Sequence, residues 1–415
     1  MNNDSRADVL IVSPGNNRVI YQDLATDYAA IEPPIWAALM ANFLRRRSIE
    51  VAIADQEAEG LSLDQLLSRA EELKCKVAAI VVYGQQPSAS TQNMTMSIEI
   101  AKAFRKNLPS VRTILIGGHV SALPRESLLE SEADFVCQGE GPLTLEALLQ
   151  LKDLSDETGL ARVPGLWYRS QGRPAFAGEC AVIPEKDLPS VLPGMAWDLL
   201  PMKAYRAHNW HCFENIHDRQ PYASLYTSLG CPFRCTFCCI NAPFSKPSIR
   251  YWDPHFVITE LDTLATKYGV RNIKIADEMF VLNEEHVMTL CDLIIERGYD
   301  FNFWAYARVD TVKDKFLDKL NRAGFRWLCL GIESGSKHVR DGVLKGRYKE
   351  DDIRTTVRHV KDAGINVLGN YIFGLPDDTY ESMQDTLDLA VELNCEMANF
   401  YSGMAYPGSG LFQTA

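Results

Sequence analysis

Short apolar runs alternate with amphipathic helix patterns along the first 150 residues. Apolar runs of four to seven residues that end in turn-forming residues are typical of buried parallel strands. They lie at residues 8–13, 49–54, 77–83, 111–117 and 134–137, and helical periodicity lies near residues 35–47, 62–73, 93–107 and 142–150. The pattern predicts an α/β fold with a doubly wound, five-stranded parallel sheet of Rossmann-like type, whose ligands bind beyond the carboxyl ends of the strands.

A second alternating series begins near residue 223. Its predicted strands lie at residues 223–228, 272–276, 301–307, 326–332, 366–373 and 397–405, with helical patterns between them. Six parallel strands with crossover helices predict a partial (β/α)6 barrel, in which chemistry is found at the carboxyl ends of the strands. Between the two series, a predicted hairpin and a proline-spaced stretch indicate a connector. We therefore expect domains at residues 1–150 and 223–415, joined by a linker at residues 151–222.

Composition narrows the class of protein. The chain has 415 residues, of which 47% are hydrophobic, enough for sizeable cores, and a formal net charge of −12, which argues against a nucleic-acid partner. No apolar stretch approaches the length of a membrane span, and the first residues show no apolar signal core. The 11 cysteines are an odd number, which disfavours a disulfide framework. These features predict a soluble cytoplasmic protein.

Cys231, Cys235 and Cys238 form a C-x3-C-x2-C triplet directly after the first predicted barrel strand. Iron–sulfur clusters are held by cysteine thiolates, usually four, so three leave one iron open to a small molecule. A structural zinc site normally has four protein ligands, often in C-x2-C pairs, and no second pair follows. Cys239 adjoins the triplet and is expected to be a bystander. The spacing favours a 4Fe-4S cluster with three protein ligands.

This triplet resembles that of the radical S-adenosylmethionine (SAM) superfamily. The resemblance implies that SAM binds the open iron through its amino and carboxylate groups and is cleaved reductively to a 5′-deoxyadenosyl radical. It also implies an electron donor, such as flavodoxin or ferredoxin.

The predicted barrel strands end in residues that suit SAM. A carboxylate accepts hydrogen bonds from an ammonium, and a guanidinium fork matches a carboxylate. The resemblance assigns Asp277 and Glu278 to the SAM amino group and Arg308 to its carboxylate. It assigns Glu333 to SAM or its ribose, and Phe237 and Gly374 to the adenine. Alternatively, Arg308 or Glu333 forms a structural ion pair at the barrel rim.

The carboxyl ends of the first sheet carry small and polar residues, which let a bulky ligand approach the backbone. A five-stranded domain before the triplet resembles the cobalamin-binding domain of cobalamin-dependent radical SAM enzymes. Ser88 and the Gly117–Gly118 pair, 29 positions after it, resemble the later parts of the cobalamin signature. Residues 14–18 depart from its first part, since they lack the histidine that can ligate cobalt.

The resemblance therefore implies cobalamin without a histidine on cobalt. His119 is expected to be a hydrogen-bonding loop residue. The lower face of cobalt is left to Tyr83, Gln85 or Gln86. The remaining residues assigned to cobalamin are Pro14, Asn16, Gly139, Glu140 and Gly141.

Together the two cofactors imply an enzyme that methylates an unactivated carbon of a small biosynthetic substrate. One SAM would methylate reduced cobalamin, and a second would yield the radical that abstracts hydrogen from the substrate. An oxidative cyclase or ring-rearranging enzyme with the same cofactors is an alternative. A non-enzymatic cobalamin-binding protein is another, although it would leave the cysteine triplet unexplained. The chain ends within the sixth predicted helix, which indicates either truncation or an unusual closure of the barrel.

Overall fold

The computed structural model describes residues 6–15, 22, 28–213, 215–346 and 348–415. They form two compact units. The first takes in the chain up to Tyr205, with Cys239–Lys246 and Tyr406–Gly408, and the second takes in the remainder. The boundary at Tyr205 falls within the stretch that the sequence predicts as a linker.

The first unit is built on a seven-stranded sheet of order β2-β1-β3-β4-β5-β6-β7. Strands β1 to β5 are parallel, as predicted, and β6 and β7 extend the sheet as an antiparallel hairpin. The strands are β1 (Val9–Ser13), β2 (Val51–Asp55), β3 (Val77–Val81), β4 (Arg112–Ile116), β5 (Phe135–Cys137), β6 (Leu166–Ser170) and β7 (Arg173–Phe176). The hairpin predicted in the connector is therefore part of this sheet.

Helices cover both faces of the first sheet because its central strands are apolar on both sides. All five residues of β3 are buried, for example, and α4 packs beside it through Ile100 and Phe104. The helices are α1 (Ile35–Arg45), α2 (Gln56–Glu59), α3 (Leu63–Glu72), α4 (Ala89–Asn107), α5 (Gly118–Ala122), α6 (Pro124–Glu130), α7 (Pro142–Leu149), α8 (Glu157–Leu160) and α9 (Leu188–Val191). The doubly wound α/β class is confirmed.

The second unit contains a six-stranded parallel sheet of order β15-β14-β13-β12-β11-β8. Its strands are β8 (Tyr222–Leu225), β11 (Asn272–Ile275), β12 (Asn302–Arg308), β13 (Phe325–Glu333), β14 (Asn366–Phe373) and β15 (Met397–Ser402). The helices are α10 (Pro254–Tyr268), α11 (Glu284–Arg297), α12 (Asp314–Arg322), α13 (Lys337–Gly342), α14 (Glu350–Asp362), α15 (Tyr380–Leu393) and α16 (Gly410–Thr414). The predicted (β/α)6 series is confirmed.

One predicted strand is divided. Residues 223–228 were expected to run as one strand into the cysteine loop, but β8 ends at Leu225 and a new strand, β9 (Ser228–Cys231), begins after two residues. β9 pairs antiparallel with β10 (Ser248–Tyr251), away from the six-stranded sheet. The cysteine triplet is therefore carried by a separate two-stranded ribbon.

The opposite edge of the six-stranded sheet is β15, which pairs only with β14 within the described residues. Its Phe400 and Tyr401 side chains are each more than 40% exposed. No helix in the described ranges is long and apolar enough to cross a membrane.

Candidate active site

The three cysteines of the triplet lie on one loop that begins at the end of β9. Cys231 is 9% exposed, whereas Cys235 and Cys238 are half-buried, and all three are free thiols. The loop turns through a hydrogen bond from the Cys238 N–H to the Cys235 carbonyl (3.1 Å). The Thr236 N–H donates to the Val343 carbonyl (3.0 Å). The loop thus presents three thiols from a short turn that is anchored by its backbone.

The donor set of the loop is three thiols. A structural zinc site normally has four protein ligands around one ion. In the part of the chain that the structure describes, no group of three His, Cys, Asp or Glu side chains is placed to hold a single ion. A four-iron cluster is held by thiolates that bind different irons, so thiols are the donor type that it takes.

Arg308 ends β12 beside the cysteine loop. Its Nε and Nη2 atoms donate to the Asp310 carboxylate at 2.9 and 3.0 Å, and its Nη1 donates to Cys235 Sγ at 3.4 Å. The guanidinium carbon lies 3.8 Å from the centre of the Phe233 ring. The fork that the sequence assigns to the SAM carboxylate is thus paired with Asp310, and Arg308 also contacts Cys235 of the triplet.

Glu333 ends β13 in a left-handed backbone conformation (φ +66°), where the strand pairing is irregular. Its Oε1 atom accepts from Lys345 Nζ at 2.6 Å, and each side chain is only 8% exposed. Burial acts to lower the pKa of Lys345, but the charge of Glu333 outweighs it and raises that pKa above its ordinary value. The structure therefore places Glu333 in a buried ion pair.

Asp277 and Glu278 follow β11 and differ in their surroundings. The Asp277 carboxylate is fully buried and accepts three hydrogen bonds from Thr227 and Ser228. Glu278 is half-buried, burial raises its pKa to about 8, and its charge acts on the Cys231 thiol. Asp277 is thus bound by the chain itself, whereas Glu278 lies near the cysteine loop.

The two residues predicted at the adenine come together. Phe237 packs against a buried cluster that includes Leu375, two residues beyond the end of β14. Gly374 has a φ of +79°, and the N–H groups of Gly374 and Leu375 both donate to Asp378 Oδ2, at 2.9 and 3.0 Å. An aromatic ring and a capped glycine turn therefore form one wall at the end of β14.

In the first unit, Tyr83 ties together three segments beyond the sheet. Its ring stacks on Trp36 of α1 with centroids 4.4 Å apart and an interplanar angle of 13°. Its hydroxyl donates to the carbonyls of Gly139 (3.4 Å) and Glu140 (3.2 Å). Because both parts of the side chain are engaged, Tyr83 acts as a support for the predicted cobalamin loops.

The other predicted residues of the β3 loop lie at the start of α4. Gln85 Nε2 donates to the Glu32 carbonyl at 3.5 Å. The Gln86 and Ser88 carbonyls accept from the first N–H groups of the helix, each at 3.0 Å. The loop is therefore held by its backbone.

The described part of the β1 loop ends at Gly15. Pro14 is half-buried, and Gly15 after it donates its N–H to Gln56 Oε1 at 3.0 Å. Asn16, predicted to contact cobalamin, lies outside the described residues.

The Gly117–Gly118 pair brings the β4 loop against the β3 loop. A Cβ atom on Gly117 would lie 2.7 Å from the Val82 carbonyl carbon, so only glycine fits. The His119 N–H donates to Ser90 Oγ at 2.9 Å, and His119 Nδ1 lies 3.1 Å from Thr91 Oγ1. His119 is thus hydrogen-bonded as expected, but it lies in the first turn of the short helix α5 and not in a loop.

The β5 loop is shaped by two glycines with positive φ. Gly139 has φ +130° and Gly141 has φ +112°, and a Cβ on Gly141 would lie 2.6 Å from Ile116 Cγ2. Between them, Glu140 is buried and accepts from the Ile183 N–H at 2.6 Å. Gly141 thus lets the loop lie close against the core, and the space beside Gly139 is open.

Two family models match the chain, one after the other. Residues 21–149 match the B12 binding domain, and residues 225–390 match the radical SAM superfamily. The chain thus carries a B12 binding domain followed by a radical SAM domain. Its cofactors are a 4Fe-4S cluster, SAM and cobalamin.

Known proteins are similar to this one over nearly the whole chain. An uncharacterised methyltransferase of Pyrococcus horikoshii is 29% identical over 98% of this chain and 83% of its own length. The anaerobic magnesium-protoporphyrin IX monomethyl ester cyclase of Rubrivivax gelatinosus is 26% identical over 98% of this chain and 69% of its own. The methyltransferase TsrM of Kitasatospora setae, solved with cobalamin and a 4Fe-4S cluster, has the same fold. It matches with a TM-score of 0.73 and 20% identity, over 97% of this chain and 76% of that one.

The residues fit the cofactors of a cobalamin-dependent radical SAM enzyme. Three thiols on one loop are the donors that an iron–sulfur cluster takes. A Cβ on Gly139 would meet nothing closer than 4.0 Å, so the backbone there is open to a large ring.

Some residues of this site could not be recognised from the sequence. Lys345 lies 12 positions beyond Glu333, and Ser90 lies two beyond the predicted Ser88. Trp36 belongs to α1, whose sequence pattern indicates only an apolar helix of the core. Ser90 had one available signal, since it precedes His119 by the same 29 positions that separate Ser88 from Gly117.

Proposed function

We propose that this enzyme is a methyltransferase that acts on an unactivated carbon of a small biosynthetic molecule. The observation that carries the proposal is the joining, in one chain, of a B12 binding domain and a radical SAM domain whose loop of three thiols follows β9. Similarity to a methyltransferase over 98% of the chain supports it.

When bound, the cofactors supply a methyl group on cobalamin and a 5′-deoxyadenosyl radical from SAM. The protein provides ligands, orientation and shielding. Cys231, Cys235 and Cys238 would hold the cluster, and Arg308 Nη1, 3.4 Å from Cys235 Sγ, would donate a hydrogen bond to a cluster thiolate. Such bonds tune the potential of an iron–sulfur centre.

SAM would bind against the ends of β11 and β14. Glu278 supplies a carboxyl near the cysteine loop, and the wall of Phe237 and Gly374 supplies a surface for adenine. The Glu333 carboxylate already pairs with Lys345, and the Asp277 carboxylate already accepts hydrogen bonds from the β8–β9 turn. We therefore assign the SAM amino group to Glu278.

The substrate would lie against the inward face of the six-stranded sheet. Trp304 and Trp327, adjacent in register, pack with Trp210 to form an aromatic floor. Lys274 pairs in register with Trp304, is 2% exposed, and has its Nζ atom 4.9 Å from the Trp304 ring centre. On β14, the strand next to that of Trp327, Asn370 Oδ1 accepts from Asn399 Nδ2 at 3.3 Å. Polar groups above an aromatic floor support a compact, partly polar substrate.

The location and partners of the enzyme complete the proposal. We propose a cytoplasmic enzyme that receives electrons from a flavodoxin- or ferredoxin-type donor. A net charge of −12 supports a small molecule, not a nucleic acid, as substrate.

Anaerobic reconstitution with iron, sulfide and hydroxocobalamin tests the proposal. With methyl-deuterated SAM and a strong reductant, we expect 5′-deoxyadenosine and deuterium in the corrinoid fraction. Cys235→Ala should abolish 5′-deoxyadenosine formation and leave corrinoid binding intact, because the cluster and the B12 binding domain use different units. Cys239→Ala, the adjacent cysteine, serves as the matched control and should keep SAM cleavage. Protein that binds no corrinoid, or equal loss in both variants, would contradict the proposal.

An oxidative cyclase is the second candidate, favoured by the likeness to the Rubrivivax gelatinosus cyclase over 98% of this chain. A cyclase of this kind would form 5′-deoxyadenosine but would leave no deuterium in the corrinoid fraction.

A further inference from the structure

The turn between β8 and β9 decides where the cysteine loop begins. β8 belongs to the six-stranded sheet, and β9, which ends at Cys231, belongs to the two-stranded ribbon. Only Tyr226 and Thr227 separate the two strands. Any shift in this turn would move the first cluster ligand.

Asp277 holds that turn with its whole carboxylate. Oδ1 accepts from the Thr227 N–H, and Oδ2 accepts from the hydroxyls of Thr227 and Ser228, all three at 2.6 Å. All three residues are buried, with none of their surface exposed. Short bonds to a buried carboxylate are among the stronger hydrogen bonds in proteins.

His286 of α11 completes the arrangement. Its Nε2 atom lies 2.9 Å from Thr227 Oγ1, and its ring lies 4.9 Å from that of Tyr251 on β10. Because the Thr227 hydroxyl donates to Asp277, its oxygen accepts from the His286 Nε2–H. Burial lowers the pKa of His286 to about 4, so the ring is neutral at pH 7. The chain His286, Thr227, Asp277 and Ser228 therefore joins α11, the turn and β11.

From this geometry we infer that Asp277 is a positioning residue that holds the cluster-bearing ribbon on the barrel sheet, and is not a ligand of SAM. The inference rests on the proposed function for its consequence, since the ribbon matters because Cys231 binds the cluster. The bonds themselves belong to the protein chain and exist without any cofactor.

Hydrogen exchange of the metal-free full chain tests the arrangement directly. In Asp277→Asn and Thr227→Val, the amides of Leu229 to Cys231 should exchange about 10- to 100-fold faster, the range expected for losing a hydrogen bond to a charged group. Thr227→Ser keeps the hydroxyl and should restore protection. Glu278→Gln, the adjacent carboxyl, is the matched control and should leave these amides within about twofold of wild type.

Reconstituted protein supplies the second measurement. Asp277→Asn and Thr227→Val should lower the iron content and broaden the electron paramagnetic resonance signal of the reduced cluster, with cobalamin content unchanged. If Asp277→Asn instead keeps wild-type exchange and iron content but loses affinity for SAM, the inference is overturned.

Two further results keep the test decisive. Should Asp277→Asn fail to fold, two other variants carry the same expectation. Ser228→Ala removes one bond to Asp277, and Thr227→Val removes the two bonds of its hydroxyl, to Asp277 and from His286. If wild-type protein binds no cluster, the proposed function fails, while exchange in the metal-free protein still decides the role of Asp277.

Discussion

In the first unit the buried carboxyl of Asp55 is held by neutral donors, whereas in the second unit the buried carboxyl of Glu333 is held by a lysine. The Tyr205 hydroxyl donates to Asp55 Oδ2 at 2.8 Å, and the Ala58 N–H donates to Oδ1 at 3.2 Å. Lys345 Nζ lies 2.6 Å from Glu333 Oε1.

The two arrangements have different electrostatic results. Neutral donors do not offset the loss of solvent around Asp55, so burial raises its pKa to about 7. The lysine supplies a full opposite charge, and the pKa of Lys345 rises in return. The comparison teaches that the first unit carries a carboxyl that titrates near neutrality, whereas the second carries a charge pair that depends on both partners.

The largest effect is expected from Lys345→Met, which leaves the Glu333 charge buried and unpaired. Breaking a buried pair in this way costs about 3–5 kcal/mol. The free energy of unfolding in urea, followed on the full chain, measures the loss. The double variant Lys345→Met/Glu333→Gln removes both charges and should recover much of the stability. A double variant no more stable than Lys345→Met would show that the charge pair is not the cause.

A smaller, pH-dependent effect is expected from Asp55→Asn. The pKa of Asp55 is about 7 in the folded state and 3.8 when unperturbed, so between these values the folded state binds more protons than the unfolded state. Stability from this group is therefore full below about pH 4 and falls as pH rises to about 7, by about 4 kcal/mol at most. Thermal unfolding at pH 5 and pH 8 should show this fall in wild type and a flatter profile in Asp55→Asn. Equal slopes in the two proteins would remove the contrast with Glu333.

The smallest effect is expected from Arg354→Ala, an exposed counterpart of the Lys345 pair. Arg354 Nε lies 2.7 Å from Glu392 Oε1, and the two side chains are 41% and 52% exposed. Exposed ion pairs contribute about 0–1 kcal/mol because water and salt screen them. Urea unfolding should therefore show a change of at most about 1 kcal/mol. A cost as large as that of Lys345→Met would mean that burial does not set the difference.

The sheets were predictable because their signals are local. The run Val77–Val81 is apolar at every position, and a strand buried on both faces needs nothing else. The cysteine triplet was equally accessible, since its spacing is short and specific.

The directions of the site carboxyls were not predictable. Adjacent side chains at a strand end point to different sides, so Asp277 and Glu278 meet different surroundings although they are neighbours in sequence. Glu333 is redirected by a positive φ and an irregular strand pairing that no periodicity signals. Its partner Lys345 lies on a loop, and Tyr205, the partner of Asp55, is 150 residues away from it. Long-range pairing of this kind requires the folded chain.

The exposed edge formed by β15 bears on how the protein behaves in concentrated solution. An edge strand offers unpaired backbone groups to any other strand, and exposed aromatic side chains such as Phe400 and Tyr401 add an apolar reason to associate. Met404, 53% exposed just beyond the strand, extends the same surface. We therefore expect charged residues introduced along this edge to reduce association of the protein at high concentration.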